Sequence, residues 1–352
     1  ALKRGANTLK VLVGHGWYDV RSIATWDFAT APWRDFPRMI AQLEIVYGDG
    51  TRETVVSDGK WIHSDSPVRY DCIREGEVLC GDGNGAKVGA CTVVDGPKGV
   101  LVAESLPGAK VMRTIEPEWI RSFGDGVYVV KFPVVFAGWI RAKFAGQKKG
   151  DVIVVRYDER ANDDGSPTEP SVRDGLHNKL QCVDVRKAVA GQETRRIDCH
   201  FRYTASQRFC AVDAEFQADR IIASGKAVEA YEPRFTYNGF QYVVLKGLRQ
   251  APKKADVVGC VVHTAFRDIG RFACSDPTFE KLMAMAERAY KSNFVDGYPT
   301  DCPHREKNGW TGDASIASEL AQYLFENTAA YEKWLGDLCD TQVASGDICC
   351  IA

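Results

Sequence analysis

The sequence predicts a multidomain chain, β first and α last, with β-sandwich (jelly-roll-like) regions leading into helices. Three observations carry this. Up to about residue 270, short segments rich in Val, Ile, Tyr and Phe alternate with Gly/Asp/Pro turns, the rhythm of antiparallel sandwiches rather than of a doubly wound sheet. Beyond it, apolar residues recur at three- and four-residue steps. A length of 352 residues also suits two or three domains.

Taken in order, residues 9–13, 39–47, 99–103, 127–132, 139–144, 152–157, 240–246 and 257–264 read as strands. Gly48-Asp49-Gly50, following Ile45-Val46-Tyr47, predicts a hairpin. At Ser275-Asp276-Pro277 the pattern announces a helix, with Asp276 as its cap and Pro277 as its first residue. Phe279, Leu282, Met283, Ala286 and Tyr290 then mark one apolar face. A turn-rich stretch, 297–312, separates it from a second helix through Ile316, Leu320, Tyr323 and Leu324. A third begins near Thr328 and repeats at Tyr331, Trp334, Leu335 and Leu338. Three such helices cannot comfortably close a core of their own, so they are expected to pack on the sandwiches, on a partner or on further sequence. Both ends of the chain read as cut.

Composition narrows the function classes. Charged residues make up 26% with a net charge of -2 and no run of five Lys/Arg, so no nucleic-acid partner is expected. The modestly basic stretches 179–187 and 246–254 read as solvated loops. No run of about 18 apolar residues occurs, so no membrane-spanning helix is expected within the chain. Twelve cysteines without a CxxC pair, and six histidines without a zinc-like spacing, read as buried free thiols and no metal site. Gly81-Asp82-Gly83-Asn84-Gly85 lacks the helix and Lys-Ser/Thr pair of a phosphate cradle. Asp158, Glu159, Asn162, Asp163, Asp164 and Gly165 lack the spacing of a calcium loop and read as a hairpin turn. Trp17, Trp26, Trp33 and Trp61 read as core rather than as a sugar platform. No cofactor is expected.

The chemistry concentrates in Tyr298-Pro299-Thr300-Asp301-Cys302-Pro303-His304-Arg305-Glu306-Lys307-Asn308-Gly309-Trp310-Thr311-Gly312-Asp313. Three carboxylates, an Arg, a His and a Trp share one segment stiffened by two prolines. Glycosidic cleavage needs one carboxylic acid to protonate the leaving oxygen and a second carboxylate across the sugar. Clustered acids raise one another's pKa, which favours such a donor, and a Trp face walls a sugar ring. The residue types alone fit better a surface loop whose acids pair with Arg305 and Lys307.

This segment resembles the signature of the bacterial α-L-rhamnosidases of glycoside hydrolase family 78. There an Asp-Cys-Pro-x-Arg-Asp/Glu run leads into Gly-Trp-Thr-Gly-Asp-Ala, matched here by Asp301-Cys302-Pro303, Arg305-Glu306 and Gly309-Trp310-Thr311-Gly312-Asp313-Ala314. Glu232-Pro233-Arg234-Phe235-Thr236-Tyr237-Asn238-Gly239-Phe240, Gly270-Arg271-Phe272-Ala273-Cys274-Ser275-Asp276 and Gly14-His15-Gly16-Trp17-Tyr18 are similar to further family segments. The resemblance is weak near 165–215, which reads as an insertion.

It implies an N-terminal β-sandwich over 1–110, a concanavalin-like sandwich over 111–269, and the first helices of an (α/α)6 toroid over 270–352. It further implies an inverting hydrolase of terminal α-L-rhamnosides, acting on a rhamnose-containing glycan or glycoside, with a homodimer left open. Carried over, Glu306 is the general acid, Asp301 and Asp313 hold sugar hydroxyls, Trp310 lines the pocket and Arg305 orients an acid. His304 stands where Gln is common, and Lys307-Asn308 replace an Arg-Leu pair. The family's general base sits on a later helix, so this chain alone is expected to be inactive. The rival expectation is a non-catalytic carbohydrate-binding or scaffold protein derived from such a hydrolase.

Overall fold

The computed structural model describes residues 2–20, 35–81, 88–96, 99–168 and 217–351, and the backbone of two short strands, 181–182 and 197–198. Along the chain run β1 (Gln42–Val46), β2 (Arg52–Val56), β3 (Ile62–Ser64), β4 (Val68–Cys72), β5 (Gly76–Cys80), β6 (Val88–Ala90), β7 (Ala109–Ile115), β8 (Trp119–Ser122), β9 (Tyr128–Ala145) and β10 (Val152–Asp158). There follow β11 (Gln181–Cys182), β12 (Ile197–Asp198), β13 (Ala218–Ile222), β14 (Val228–Tyr231), β15 (Asn238–Lys246), β16 (Val257–Thr264) and β17 (Arg267–Asp268). The helical end holds α1 (Pro277–Ser292), the pair β18 (Phe294–Val295) and β19 (Tyr298–Pro299), α2 (Thr311–Leu324), β20 (Phe325–Glu326) and α3 (Thr328–Thr341).

A ten-stranded sheet dominates, in the order β4-β5-β13-β10-β15-β9-β16-β7, with β8 and β14 also paired to β9. Only the β5–β13 pairing in it is parallel. The sheet curls because β9 changes neighbours along its length. Its first half pairs with β8 and β15, and its second half with β16 and β14. The change falls at Gly138, whose φ of +148° and lack of a Cβ are both required. An added Cβ there would lie 1.9 Å from the Cys260 carbonyl oxygen. The resulting core is aromatic at its centre: Phe132, Phe136, Phe240 and Tyr157 are buried, with Phe136 and Phe240 ring centroids 4.4 Å apart.

Two readings of the sequence are corrected. Residues 9–13 and 99–103 form no strand: Leu9, Val11 and Leu12, like Val100, Leu101 and Val102, are exposed on irregular backbone. An apolar run becomes a strand only when a neighbour completes its hydrogen bonds, and no ladder reaches either segment among the described residues. Segments 127–132 and 139–144 are not two strands but parts of the single β9. The hairpin at Gly48-Asp49-Gly50 forms as expected between β1 and β2.

The helix start follows the sequence closely. The Asp276 side chain accepts from the Thr278 amide at 2.8 Å, with Pro277 next in line. The apolar face splits: Tyr290 is buried and Met283 packs on a cluster of Phe266, Phe294, Leu324 and Phe325, while Phe279 and Leu282 stay exposed. No helix among the described residues is long and apolar enough to cross a membrane. Of nine described cysteines, all free, Cys72, Cys80 and Cys260 are buried, Cys91 and Cys302 half-buried, and Cys274, Cys339, Cys349 and Cys350 exposed; burial thus explains only part of the set. Cys210, Trp26, Trp33 and residues 82–85 lie outside the described residues, as does the 179–187 stretch apart from the strand backbone at 181–182.

Candidate active site

The loop from Thr300 to Trp310 is defined at both ends by local chemistry. Before it, β18 and β19 meet across Asp296-Gly297, both with positive φ (67° and 90°), as a type I′ hairpin turn requires. After it, α2 starts at Thr311, whose amide donates to the Cys350 carbonyl at 3.0 Å. Inside, the Asp301 amide donates to the Asn308 carbonyl at 3.1 Å, and the Asn308 amide to Asp301 Oδ1 at 3.2 Å. The loop is therefore pinched shut at 301 and 308, and residues 302–307 bulge from the pinch.

Glu306 sits in that bulge with only 7% of its surface exposed. Each carboxylate oxygen has its own donor: Arg305 Nη2 reaches Oε1 at 2.9 Å, and Trp310 Nε1 reaches Oε2 at 3.0 Å. Two donors on opposite oxygens fix the plane of the carboxylate. The Cys302 thiol links the acids, since Sγ donates to Asp301 Oδ2 at 3.1 Å and accepts from the Glu306 amide at 3.4 Å. Burial pushes the Asp301 carboxyl up, against the lowering effect of the Cys302 and Asn308 hydrogen bonds. Burial also pushes the Cys302 thiol up, with Asp301 adding to it.

Of the five residues singled out from sequence, four meet: Arg305, Glu306 and Trp310 by direct hydrogen bonds, and Asp301 through Cys302. Asp313 stands apart, exposed in the first turn of α2 with no side-chain hydrogen bond among the described residues.

The surroundings hold what residue types did not reveal. Lys307, one residue after Glu306, is fully buried at a positive φ of 57°. Its ammonium donates to the Ile73 and Tyr237 carbonyls, both at 2.5 Å. Burial pushes its amine down to about 7, with Arg74 acting in the same direction. Arg74, also fully buried, donates from Nε to the Glu306 carbonyl at 3.1 Å and from Nη2 to Asn308 Oδ1 at 3.0 Å. Gly239 lies under the loop, where a Cβ would come within 2.7 Å of Pro303 Cγ. His304 reaches Glu159 at 3.3 Å, so the acidic 158–165 segment touches the site at one end. Elsewhere it forms the expected turn, with the Gly165 amide donating to the Asn162 carbonyl.

A curled β-sheet thus grips a carboxylate-bearing loop between helices. Residues 1–105 match the alpha-L-rhamnosidase N-terminal domain, 210–263 the bacterial alpha-L-rhamnosidase concanavalin-like domain, and 267–352 the bacterial alpha-L-rhamnosidase 6 hairpin glycosidase domain. The chain belongs to the bacterial α-L-rhamnosidase family. It is 26% identical to an alpha-L-rhamnosidase of Formosa agariphila, over 96% of this chain and 33% of that protein. Two solved structures resemble it. That of the Streptomyces avermitilis alpha-L-rhamnosidase complexed with L-rhamnose has a TM-score of 0.76 and 25% identity, covering 96% of this chain and 30% of that one. That of the alpha-L-rhamnosidase from Dictyoglumus thermophilum has a TM-score of 0.71 and 29% identity, covering 90% and 33%. The chain thus spans about a third of the length of the curated relatives it matches.

Proposed function

We propose that the natural protein carrying this chain is an inverting glycoside hydrolase that releases terminal α-L-rhamnose from rhamnosides, with Glu306 as general acid. The observation that carries the reading is the setting of Glu306: nearly buried, on a loop pinched at Asp301 and Asn308, with one donor on each carboxylate oxygen. General acid catalysis needs a carboxyl held in one orientation beside the leaving oxygen. To donate, the Glu306 carboxyl must first take up a proton from solvent, and that proton passes to the glycosidic oxygen as the bond to the sugar breaks. Arg305 then keeps the carboxyl aligned, and the Trp310 ring lines the sugar's apolar face. Asp301 and Asp313 take sugar hydroxyls, Asp313 from its exposed position on α2. No residue among the 352 is assigned the general base, so we propose that these residues alone do not turn over.

The test is rhamnose release from a rhamnosyl disaccharide by the natural protein, with Glu306→Gln beside it. A general acid contributes about 10²–10⁴-fold, and a loss in that range with β-rhamnose as the first product supports residue and stereochemistry together. Equal release by both proteins removes Glu306 from the mechanism. Binding of rhamnosides without release by either supports the non-catalytic carbohydrate-binding reading instead.

A further inference from the structure

The contacts between the β4–β5 turn and the loop run both ways. From the turn, Arg74 gives its guanidinium to the Glu306 carbonyl and to Asn308 Oδ1. From the loop, Lys307 gives its ammonium to the Ile73 carbonyl. Residues 73–74 and 306–308, more than 230 positions apart, therefore exchange cations and acceptors around the backbone of Glu306. The turn is itself held rigid. Ile73's carbonyl also accepts from Thr236 Oγ1 at 3.0 Å, and the Ala218 amide donates to the Glu75 carbonyl at 2.7 Å. Gly76 has a φ of +122° and no room for a Cβ, which would stand 2.5 Å from the Ala218 carbonyl oxygen. Above Arg74 lies the Trp17 ring, 4.9 Å from the guanidinium carbon. The turn carrying Trp17 is tied to β4, because the His15 amide donates to Asp71 Oδ1 at 2.8 Å. Every one of these anchors belongs to the β part of the chain.

We propose that Arg74 is a positioning residue for Glu306, and that the β4–β5 turn, by clasping the loop through Arg74 and Lys307, sets where the Glu306 carboxyl stands. The inference rests on the assignment of Glu306 as general acid. A guanidinium suits the task, because its planar fork reaches two acceptors at once where a lysine ammonium is a single point. Lys307 reinforces it from the opposite side, since even as a neutral amine it retains hydrogens for both carbonyls. The two hydrogen bonds that Arg74 gives the loop go to the Glu306 carbonyl and Asn308 Oδ1, so they act on the geometry of the loop, and misplacement by about 1 Å can lower a rate on the order of 10²-fold.

The experiment uses the natural protein with Arg74→Gln, and Asn308→Ala as a milder variant that removes only the Nη2 acceptor. Two rhamnosides are compared, a disaccharide whose leaving group needs a proton and an activated dinitrophenyl glycoside whose leaving group does not. Arg74→Gln is expected to lower kcat on the disaccharide by about 10–100-fold. The activated substrate should fall only by about twofold to threefold, with KM nearly unchanged on both. Simple destabilisation lowers both substrates alike, and that result, or no loss on either, overturns the proposal. Hydrogen exchange supplies an arm that needs no substrate. The amides of 306–308 are expected to exchange about tenfold faster in Arg74→Gln while β9 and β15 keep their protection; unchanged loop exchange also overturns the clasp. If the wild type hydrolyses neither rhamnoside, the functional reading fails by itself and exchange decides the clasp. Should Arg74→Gln not fold, Asn308→Ala is judged by the same two readouts with smaller shifts.

Discussion

Around Phe136 burial is mainly apolar: Phe132, Phe240, Val243 and Leu245 close over one another between the strands of the curled sheet, with the Tyr157 hydroxyl bonded to Tyr231 at the edge. Around Lys307 burial is equally complete, but the contacts holding the loop are polar, made by Arg74, the Ile73 and Tyr237 carbonyls, Asn308 and Asp301. The sheet core draws on area removed from water, which has no direction. The loop draws on hydrogen bonds, which do. A region that must hold a carboxyl to a fraction of an ångström uses directional contacts, and a region that must merely be stable does not need them. Changes in the core should therefore appear as lost stability, and changes around the loop as lost rate or altered pH behaviour.

The largest expected effect is in the core. Phe136→Ala should cost about 3–5 kcal/mol of stability by denaturant titration, as large aromatic truncations do, with activity per folded molecule retained. A loss of rate without loss of stability would blur the division between the regions. Next comes Lys307→Met, which takes the ammonium donor from the Ile73 and Tyr237 carbonyls and leaves them only Thr236 Oγ1, at about 1–3 kcal/mol. Its pH dependence sharpens the comparison. The folded Lys307 amine titrates near 7, below its unfolded value. Wild-type stability from this group therefore rises with pH from about 7 until the unfolded lysine also loses its proton. The gap between wild type and Lys307→Met should widen above pH 7, and a gap independent of pH would contradict a buried, titrating amine.

Gly239→Ala acts across the interface. The new Cβ meets Pro303 Cγ at 2.7 Å and the His304 backbone nitrogen at 3.1 Å, so the loop must shift, and a fall of about tenfold in kcat is expected. Wild-type rates in that variant would mean that the loop tolerates displacement. A further effect, read as a slope against pH, is assigned to Glu77 on β5. It accepts the Arg234 and Phe235 amides, and its carboxyl is pushed up to about 8 by burial and then by Asp219. A raised carboxyl contributes stability below its unfolded value that is lost as pH rises through about 8. Glu77→Gln keeps both acceptor bonds and should flatten this decline. Asp219, itself pushed up to about 6 by burial, contributes its part at lower pH and remains in the variant. Unfolding midpoints from pH 5 to 9 measure the difference.

Much of the molecule was legible in the sequence because it depends on neighbours along the chain. Asp276 caps α1 through an amide two residues away, and the β1–β2 hairpin turns on Gly48-Asp49-Gly50. The contact of Arg305 and Trp310 with Glu306 spans one and four residues, short enough for a motif to carry it. Where the reading failed, the missing partner lay far away. Residues 9–13 and 99–103 have the composition of strands and no ladder beside them among the described residues. A bend in β9 was invisible because Gly138 is explained only by the Cys260 carbonyl it must pass.

The sequence by itself determined the β-then-α order, the helix starts, and the loop that gathers Asp301, Arg305, Glu306 and Trp310, since propensities, caps and short motifs act over a few residues. Only the tertiary structure decided that Arg74 and Lys307 exchange partners around Glu306, that Gly239 lets the loop sit down on the sheet, and that Asp313 stands apart in solvent. Buried charges and close backbone approaches take their meaning from atoms that chain folding brings together, and no local pattern of residues encodes which atoms those will be.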